Sequence, residues 1–200
     1  WHFTWSSCCR NSNISNGFAD AGFTLRAVMY SYTDSSGVVY PNNGCYDSSP
    51  EFHEEPRTIL EAGNGYIPFA FSNGFTYSHN AFDEEQDSLH YSFGQPIDGY
   101  NTSYDYLNAD VTNSLPFAAG FSVSTPIQGI VMDPITGRTQ YPASSIGNYV
   151  TCTKVSAYKC GQKVSEIYRE IQVVLTPPIC NLGDTTNGNI GADTLCNTRP

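Results

Sequence analysis

Gly147-Asn-Tyr-Val-Thr-Cys-Thr-Lys-Val155 and Val164-Ser-Glu-Ile-Tyr-Arg-Glu-Ile-Gln-Val-Val-Leu175 are the two stretches that decide the fold. Both are rich in β-branched and aromatic residues, with the period-2 alternation of a strand. Between them lies Tyr158-Lys-Cys-Gly-Gln-Lys163, where Gly161 is able to supply the positive φ of a tight hairpin turn. The pair reads as the closing hairpin of a β-sandwich, ended by Pro177-Pro178. Shorter runs with strand patterning precede it: Phe23-Thr-Leu-Arg-Ala-Val-Met-Tyr30, Phe75-Thr-Tyr77 and Ser88-Leu-His-Tyr-Ser-Phe93. Turn formers punctuate the chain at Ser35-Ser-Gly37, Pro41-Asn-Asn-Gly44, Gly63-Asn-Gly65 and Asp133-Pro-Ile-Thr-Gly137, the last suited to a type I turn. No long segment places apolar residues at i, i+3, i+4 and i+7 between caps, so the class is all-β. The Tyr-, Asn- and Ser-rich region 99–128 lacks periodicity and reads as a long loop or inserted β-arm.

Composition places this β protein outside the cell. Charged residues make up 14% of the 200 residues, against about 25% in an ordinary soluble domain. Nine Lys and Arg face 19 Asp and Glu, for a formal net charge of -10. A nucleic-acid binder needs a basic stripe, and none exists. A membrane helix needs about 20 consecutive apolar residues, and no run approaches that. With 14 Tyr and 11 Phe, the chain also lacks the aromatic-poor composition of disorder.

Seven cysteines are present: Cys8, Cys9, Cys45, Cys152, Cys160, Cys180 and Cys196. No C-x-x-C spacing occurs and the four histidines are scattered, which speaks against a zinc or redox site. Disulfides in an oxidising compartment are the better account. An odd count leaves one thiol over or paired outside the chain. Adjacent Cys8 and Cys9 are not expected to pair with each other, because a disulfide needs Cα atoms about 5.5 Å apart. Cys180 and Cys196 flank a Gly/Asn/Thr-rich segment and are placed to close a local loop. A start at Trp1 and a stop at Pro200 fit a piece of a longer polypeptide.

Three groups of residues are candidates for chemistry. In Ala81-Phe-Asp-Glu-Glu-Gln-Asp-Ser-Leu89 the acids Asp83, Glu85 and Asp87 alternate between two predicted strands. Such oxygen ligands suit Ca²⁺, which takes 6–8 of them; a solvated acidic turn is the plainer alternative. Tyr100, Tyr104 and Tyr106 stand in a polar segment, either packed on the sandwich or offered as rigid amphipathic surface for sugar rings. Asn13-Ile-Ser15 and Asn101-Thr-Ser103 match the N-glycosylation acceptor. Catalytic patterns are missing: His53-Glu54-Glu55 has no second His at zincin spacing, and neither a nucleophile elbow nor a phosphate loop occurs. The chain is not expected to be an enzyme.

Several stretches together resemble one family. Trp5-Ser-Ser-Cys-Cys-Arg-Asn11 with Ile14-Ser-Asn16 is similar to the C-C-R-N-x-x-I-x-N signature of large secreted proteins of Bacteroidota. Ser48-Ser-Pro-Glu-Phe52 with Pro56, Tyr77 to Tyr91, Asp133 to Gly137, Gly147 to Val150 and Tyr158 to Gln172 continue that family's pattern in order. The resemblance is to cell-surface proteins exported by type IX secretion, best known as gliding-motility adhesins of the SprB type. It implies tandem immunoglobulin-like or cadherin-like β-sandwich modules, located extracellularly at the cell surface in association with the outer membrane. It also implies partners among neighbouring modules, polysaccharide or other surface ligands, and the gliding and secretion machinery.

On that resemblance the chain comprises the end of one sandwich (1–56), a complete one (57–178) and the start of the next module or a linker (179–200). The region Ser49–Pro56, with its Pro and charge, is the expected boundary. The family's D-x-D-G-D-S-L loop carries the calcium expectation onto Asp83, Glu85 and Asp87, with Glu85 for Asp and Gln86 for Gly. Asp87-Ser88-Leu89 and Asp193-Thr194-Leu195 resemble O-glycan acceptors of this lineage, making Ser88 and Thr194 candidates. The function implied is structural and adhesive. The alternative is a carbohydrate-binding module of a secreted polysaccharide-degrading enzyme.

Overall fold

The hairpin expected from the sequence is the spine of the structure. In the computed structural model, which describes residues 1–41, 47–54, 59–61, 75–100, 104–105, 113–142 and 145–176, β12 (Gly147–Lys159) pairs antiparallel with β13 (Gln162–Thr176). Cys160 and Gly161 form the turn with φ of +48° and +79°. Two consecutive positive φ angles are the mark of the I′ turn, whose twist matches that of the flanking strands. A bulge between Ala157 and Tyr158 adjusts the register just before it.

Around this hairpin a six-stranded sheet is assembled. β9 (Ser88–Phe93) lies against β12, and β2 (Phe23–Met29) lies against β13 with β1 (His2–Ser7) outside it. β6 (Ile59–Glu61) joins β13 in parallel at Val174–Thr176. A second sheet contains β7 (Phe75–Ser78), β10 (Val131–Met132) and β11 (Arg138–Tyr141), in the order β10-β11-β7. Two small ribbons complete the set: β3 (Tyr32–Thr33) with β4 (Val39–Tyr40), and β5 (Glu51–Phe52) with β8 (Ala81–Phe82). No helix occurs among the described residues, so the protein is all-β.

The core forms where the two sheets face each other. Tyr149, Ile171, Val173 and Leu175 of the hairpin pack against Tyr77 and Tyr141 of the smaller sheet. Ile127 and Ile130, from the stretch without strands, close the same cluster. The described residues of the region 99–128 contain no strand, as expected, but its end is partly core. A second cluster joins Tyr91, Val155 and Ile167, with Phe52 and Met132 against it. The turn Asp133–Gly137 lies over this cluster: Asp133 Oδ1 accepts the N–H groups of Ile135 and Thr136, each at 2.9 Å, and Gly137 adopts φ +66°. A Cβ at Gly137 would stand 2.5 Å from the Tyr91 ring, so the residue there is held to glycine by space and by φ.

The opposite face of the large sheet is also buried and carries the buried ion pairs. Arg10, fully enclosed, donates Nε to Glu170 Oε1 and Nη2 to Glu170 Oε2, both at 2.7 Å, and further N–H bonds to the carbonyls of Gly22 and Ile97. Asn16, equally enclosed, donates to the carbonyls of Pro126 and Val150 and accepts the Val150 N–H at 3.0 Å. Beside them Glu166 takes Tyr168 O–H at 2.8 Å, Lys163 at 3.0 Å and Ser156 at 3.1 Å. Burial alone would raise the Glu166 carboxyl, but these donors outweigh it and hold it below its ordinary value.

Three expectations change here. Residues 1–56 do not stand apart from 57–176: β2 is in the ladder with β13 at Ala27–Met29, and β1 extends the same sheet. The segment expected to link modules is itself tied down. Phe52 lies under the Arg169 guanidinium at 4.0 Å, and Arg169 donates to the Glu54 carbonyl at 2.8 Å. Proline and charge mark a chain that avoids regular structure, and they say nothing about what it rests on. Cys8 and Cys9 are joined to each other, across a cis peptide that sets their Cα atoms 3.2 Å apart. Cys152 is a buried thiol and Cys160 an exposed one, while Cys45, Cys180 and Cys196 lie outside the described residues.

The Arg10–Glu170 pair makes a quantitative prediction. Arg10→Met strands a buried carboxylate and should cost about 3–5 kcal/mol in urea unfolding. The double variant Arg10→Met/Glu170→Met should recover part of that loss, since it removes the stranded charge together with its partner. A single variant within 1 kcal/mol of wild type, on the order of an ordinary surface change, would show that the pair is not a fold determinant.

Candidate functional site

The acidic loop is the five-residue connection, 83–87, between β8 and β9. Asp83 Oδ1 accepts the Asp87 N–H at 2.8 Å, and the Gln86 N–H bonds to the Asp83 carbonyl at 3.1 Å. Gln86 carries φ +62°, a left-handed conformation that favours glycine. The side chains then diverge. Glu85 turns away to Ser48, accepting its hydroxyl at 2.6 Å and its N–H at 3.2 Å, which keeps the Glu85 carboxyl below its ordinary value.

Lys159, from the end of β12, enters the place where a cation would sit. Its ammonium lies 3.4 Å from Asp47 Oδ1 and 3.6 Å from Asp87 Oδ2. Burial pulls this lysine down, but the two carboxylates outweigh burial and leave it raised. Burial also raises Asp83, and pushes Asp47 up to about 6 against the pull of Lys159, with Asp87 adding to the rise.

Asp83, Glu85 and Asp87 therefore do not converge as a ligand set. Among the described residues no three His, Cys, Asp or Glu side chains are arranged to hold a metal ion. The donors do not fit calcium as placed, because one acid is drawn off and a lysine supplies the counter-charge. Neither Asp47 nor Lys159 was singled out from the sequence, since they lie far along the chain from the loop and from each other. Ser88, exposed at the start of β9 opposite Tyr158, is accessible as an acceptor. Thr194 lies outside the described residues.

Of the three tyrosines, Tyr100 and Tyr104 are together and Tyr106 lies outside the described residues. Tyr100 donates its backbone N–H to Ser6 Oγ at 3.1 Å and its hydroxyl to Thr4 Oγ1, and its ring meets Tyr104 edge-on at 4.8 Å. It packs on β1, yet remains 46% exposed. Next to it is a shallow depression of about 400 Å³ lined by Ser6, Ser7, Gly22, Asp98, Gly99 and Tyr100. A larger, mostly apolar depression of about 730 Å³ runs between β9 and β10, past His90, Phe93, Val131 and Pro134. Neither brings two carboxyl groups together.

One further titratable group is built into the core. His79 is buried, pairs through Nε2 with Thr153 Oγ1 at 3.0 Å, and is flanked edge-on by the Tyr77 and Phe52 rings. Burial, with Arg169 nearby, pulls its pKa down to about 4.

No family model, no curated protein and no solved structure matches the chain. Among the described residues no helix is long and apolar enough to cross a membrane.

Two measurements check this description. His79 sits below its ordinary 6.5, so between those values the unfolded chain takes a proton that the folded one refuses. Stability then falls as pH drops through that window, by about 3 kcal/mol from this group. Asp47 has the opposite sign: its folded value of about 6 exceeds 3.8, so its contribution is present at low pH and lost as pH rises through 6. Asp47→Asn should steepen the acid loss in urea midpoints taken between about pH 6.5 and 4.5, and His79→Gln should flatten or reverse it. Parallel profiles would contradict both assignments. Separately, melting curves in calcium and in chelator should agree within about 1 °C, whereas a tightly held ion would part them by several degrees.

Proposed function

We propose that this chain is a structural and adhesive segment of a large secreted surface protein of the gliding-adhesin kind, built of immunoglobulin-like or cadherin-like sandwiches. One observation carries the proposal: motif residues of that resemblance are committed to holding chain segments together. Arg10 ties residues 10, 22 and 97 to β13. Asn16 ties the start of the chain to β12 and to the loop at Pro126. Asp83 and Asp133 each wrap a turn. An adhesin module that passes tension along a filament needs its entering segment fastened to its longest strands, and both clamps do this for the N-terminal part.

Partners on this proposal are neighbouring modules of the same polypeptide, a polysaccharide or other surface ligand, and the export and gliding machinery of the outer membrane. The location is extracellular. Pulling the chain from its two ends by single-molecule force spectroscopy should give one dominant unfolding event, and Arg10→Met should lower its force. Equal forces in both would remove the mechanical argument.

A second proposal, the carbohydrate-binding module, is favoured by one specific feature. Tyr100 offers an exposed ring beside a depression holding the Asp98 carboxylate and the Ser6 hydroxyl, which is the aromatic-plus-polar combination sugars require. Saturable binding of soluble oligosaccharides, lost in Tyr100→Ala, would establish it. Binding that is absent, or unchanged by that variant, would leave the adhesin proposal standing alone.

A further inference from the structure

Both tryptophans of the chain, Trp1 and Trp5, sit on one strip with Phe3, and these side chains are 73%, 57% and 62% exposed. Register explains why they share a face. Phe3 stands opposite Ala27 and Trp5 opposite Leu25 on β2, and Ala27 stands opposite Ile167 on β13. Ile167 belongs to the core. The strip is thus the core face of the large sheet continued outward, past the point where the second sheet covers it.

β1 is also an edge strand, the first in the order β1-β2-β13-β12-β9. Trp1 and Met29 exchange both backbone hydrogen bonds at 2.8 Å. In an antiparallel ladder the odd residues of β1 therefore face β2, and the even ones turn their N–H and C=O outward. No backbone hydrogen bond to Thr4 or Ser6 occurs on that outer edge among the described residues. His2–Ser7 contains no charged residue, no Pro and no bulge, so the usual protections of an edge are missing.

From this geometry we infer that β1 pairs edge-to-edge with β1 of a second copy of this chain. The strand is complementary to itself. A two-fold axis at Thr4 sets Thr4 against Thr4 as a hydrogen-bonded pair and continues the sheet across the dimer. On the apolar face the same register sets Phe3 of each copy against Trp5 of the other, as close cross-strand aromatic pairs. A sugar is a poorer occupant of this strip: the neighbouring side chains on the same face, Phe23, Leu25, Ala27 and Met29, offer no hydrogen-bonding group. The six aromatic side chains would bury roughly 600–1,000 Å², short of the ~1,600 Å² of a standard interface, so the dimer is weak and concentration-dependent. With each copy at a net charge of -10, added salt strengthens it by screening the repulsion.

The test is sedimentation of the 200-residue chain from low to several hundred micromolar, in reductant so that the exposed Cys160 makes no cross-link. Wild type should pass from monomer to dimer, at lower concentration as salt rises. Thr4→Pro removes the outward N–H together with the hydroxyl that Tyr100 donates to, and should keep the chain monomeric with unchanged circular dichroism; Thr4→Ser, which keeps both, should associate as wild type does, and Trp5→Lys should abolish association by charging the strip. A wild type that stays monomeric throughout overturns the inference. So does a Thr4→Pro variant that associates as wild type does, which would mean apolar adhesion without strand pairing. Indole fluorescence that responds to oligosaccharides in a persistently monomeric chain would assign the strip to a sugar and overturn it too.

Discussion

The buried Arg10–Glu170 pair is the contact on which the rest of this protein depends. A guanidinium with no exposed surface needs nearly all its N–H groups satisfied, and here a carboxylate and two carbonyls satisfy them. Those acceptors come from β13, from the approach to β2 and from the segment after β9. One side chain therefore sets where three parts of the chain lie on the polar face of the large sheet. Desolvating two such groups is costly, and only full pairing offsets it. The benefit is less in net stability than in the uniqueness of the arrangement: alternatives leave an ion in the interior without its partner.

The same logic runs along that face. Glu166 is held ionised by lysines, a tyrosine and a serine, and Asn16 satisfies its amide with three backbone contacts. The opposite face follows ordinary hydrophobic rules, with Ile171 and Val173 against aromatics of the smaller sheet and Val155 and Ile167 against Tyr91, Phe52 and Met132. The central hairpin is buried on both sides, with the main hydrophobic clusters on one and the buried ion pairs on the other. Where this two-sided cover stops, at β1, the sheet keeps its apolar face, and Trp1, Phe3 and Trp5 on it are exposed.

Much of this was legible. The period-2 runs at 23–30, 75–77, 88–93, 147–155 and 164–175 each became a strand, and Gly161 and Asp133–Gly137 became turns. These are local: alternation, β-branching and a glycine at positive φ act over a few residues. Apart from the adjacent Cys8–Cys9 pair, the errors were long-range. The boundary at residue 56 looked sound because Pro and charge cluster there, but strand pairing between residues 27 and 167 leaves no trace in composition. The acids at 83, 85 and 87 looked convergent because they alternate, but Ser48 and Lys159 redirect two of them. Arg10 stood in view within its motif, with nothing nearby in sequence to name Glu170 as its partner.

By itself, then, the sequence determined an all-β chain, its longest hairpin, its turns and its acidity, because these follow from side-chain shape, period and charge count. The tertiary structure alone decided which charges meet, that residues before 56 share a sheet with residues after 160, and that an aromatic edge is left open. The first two depend on pairing between segments more than a hundred residues apart, and the third on where β1 falls in the order of the sheet. Burial makes such pairings obligatory, since an ion or a backbone group withdrawn from water must find a partner wherever the chain brings one.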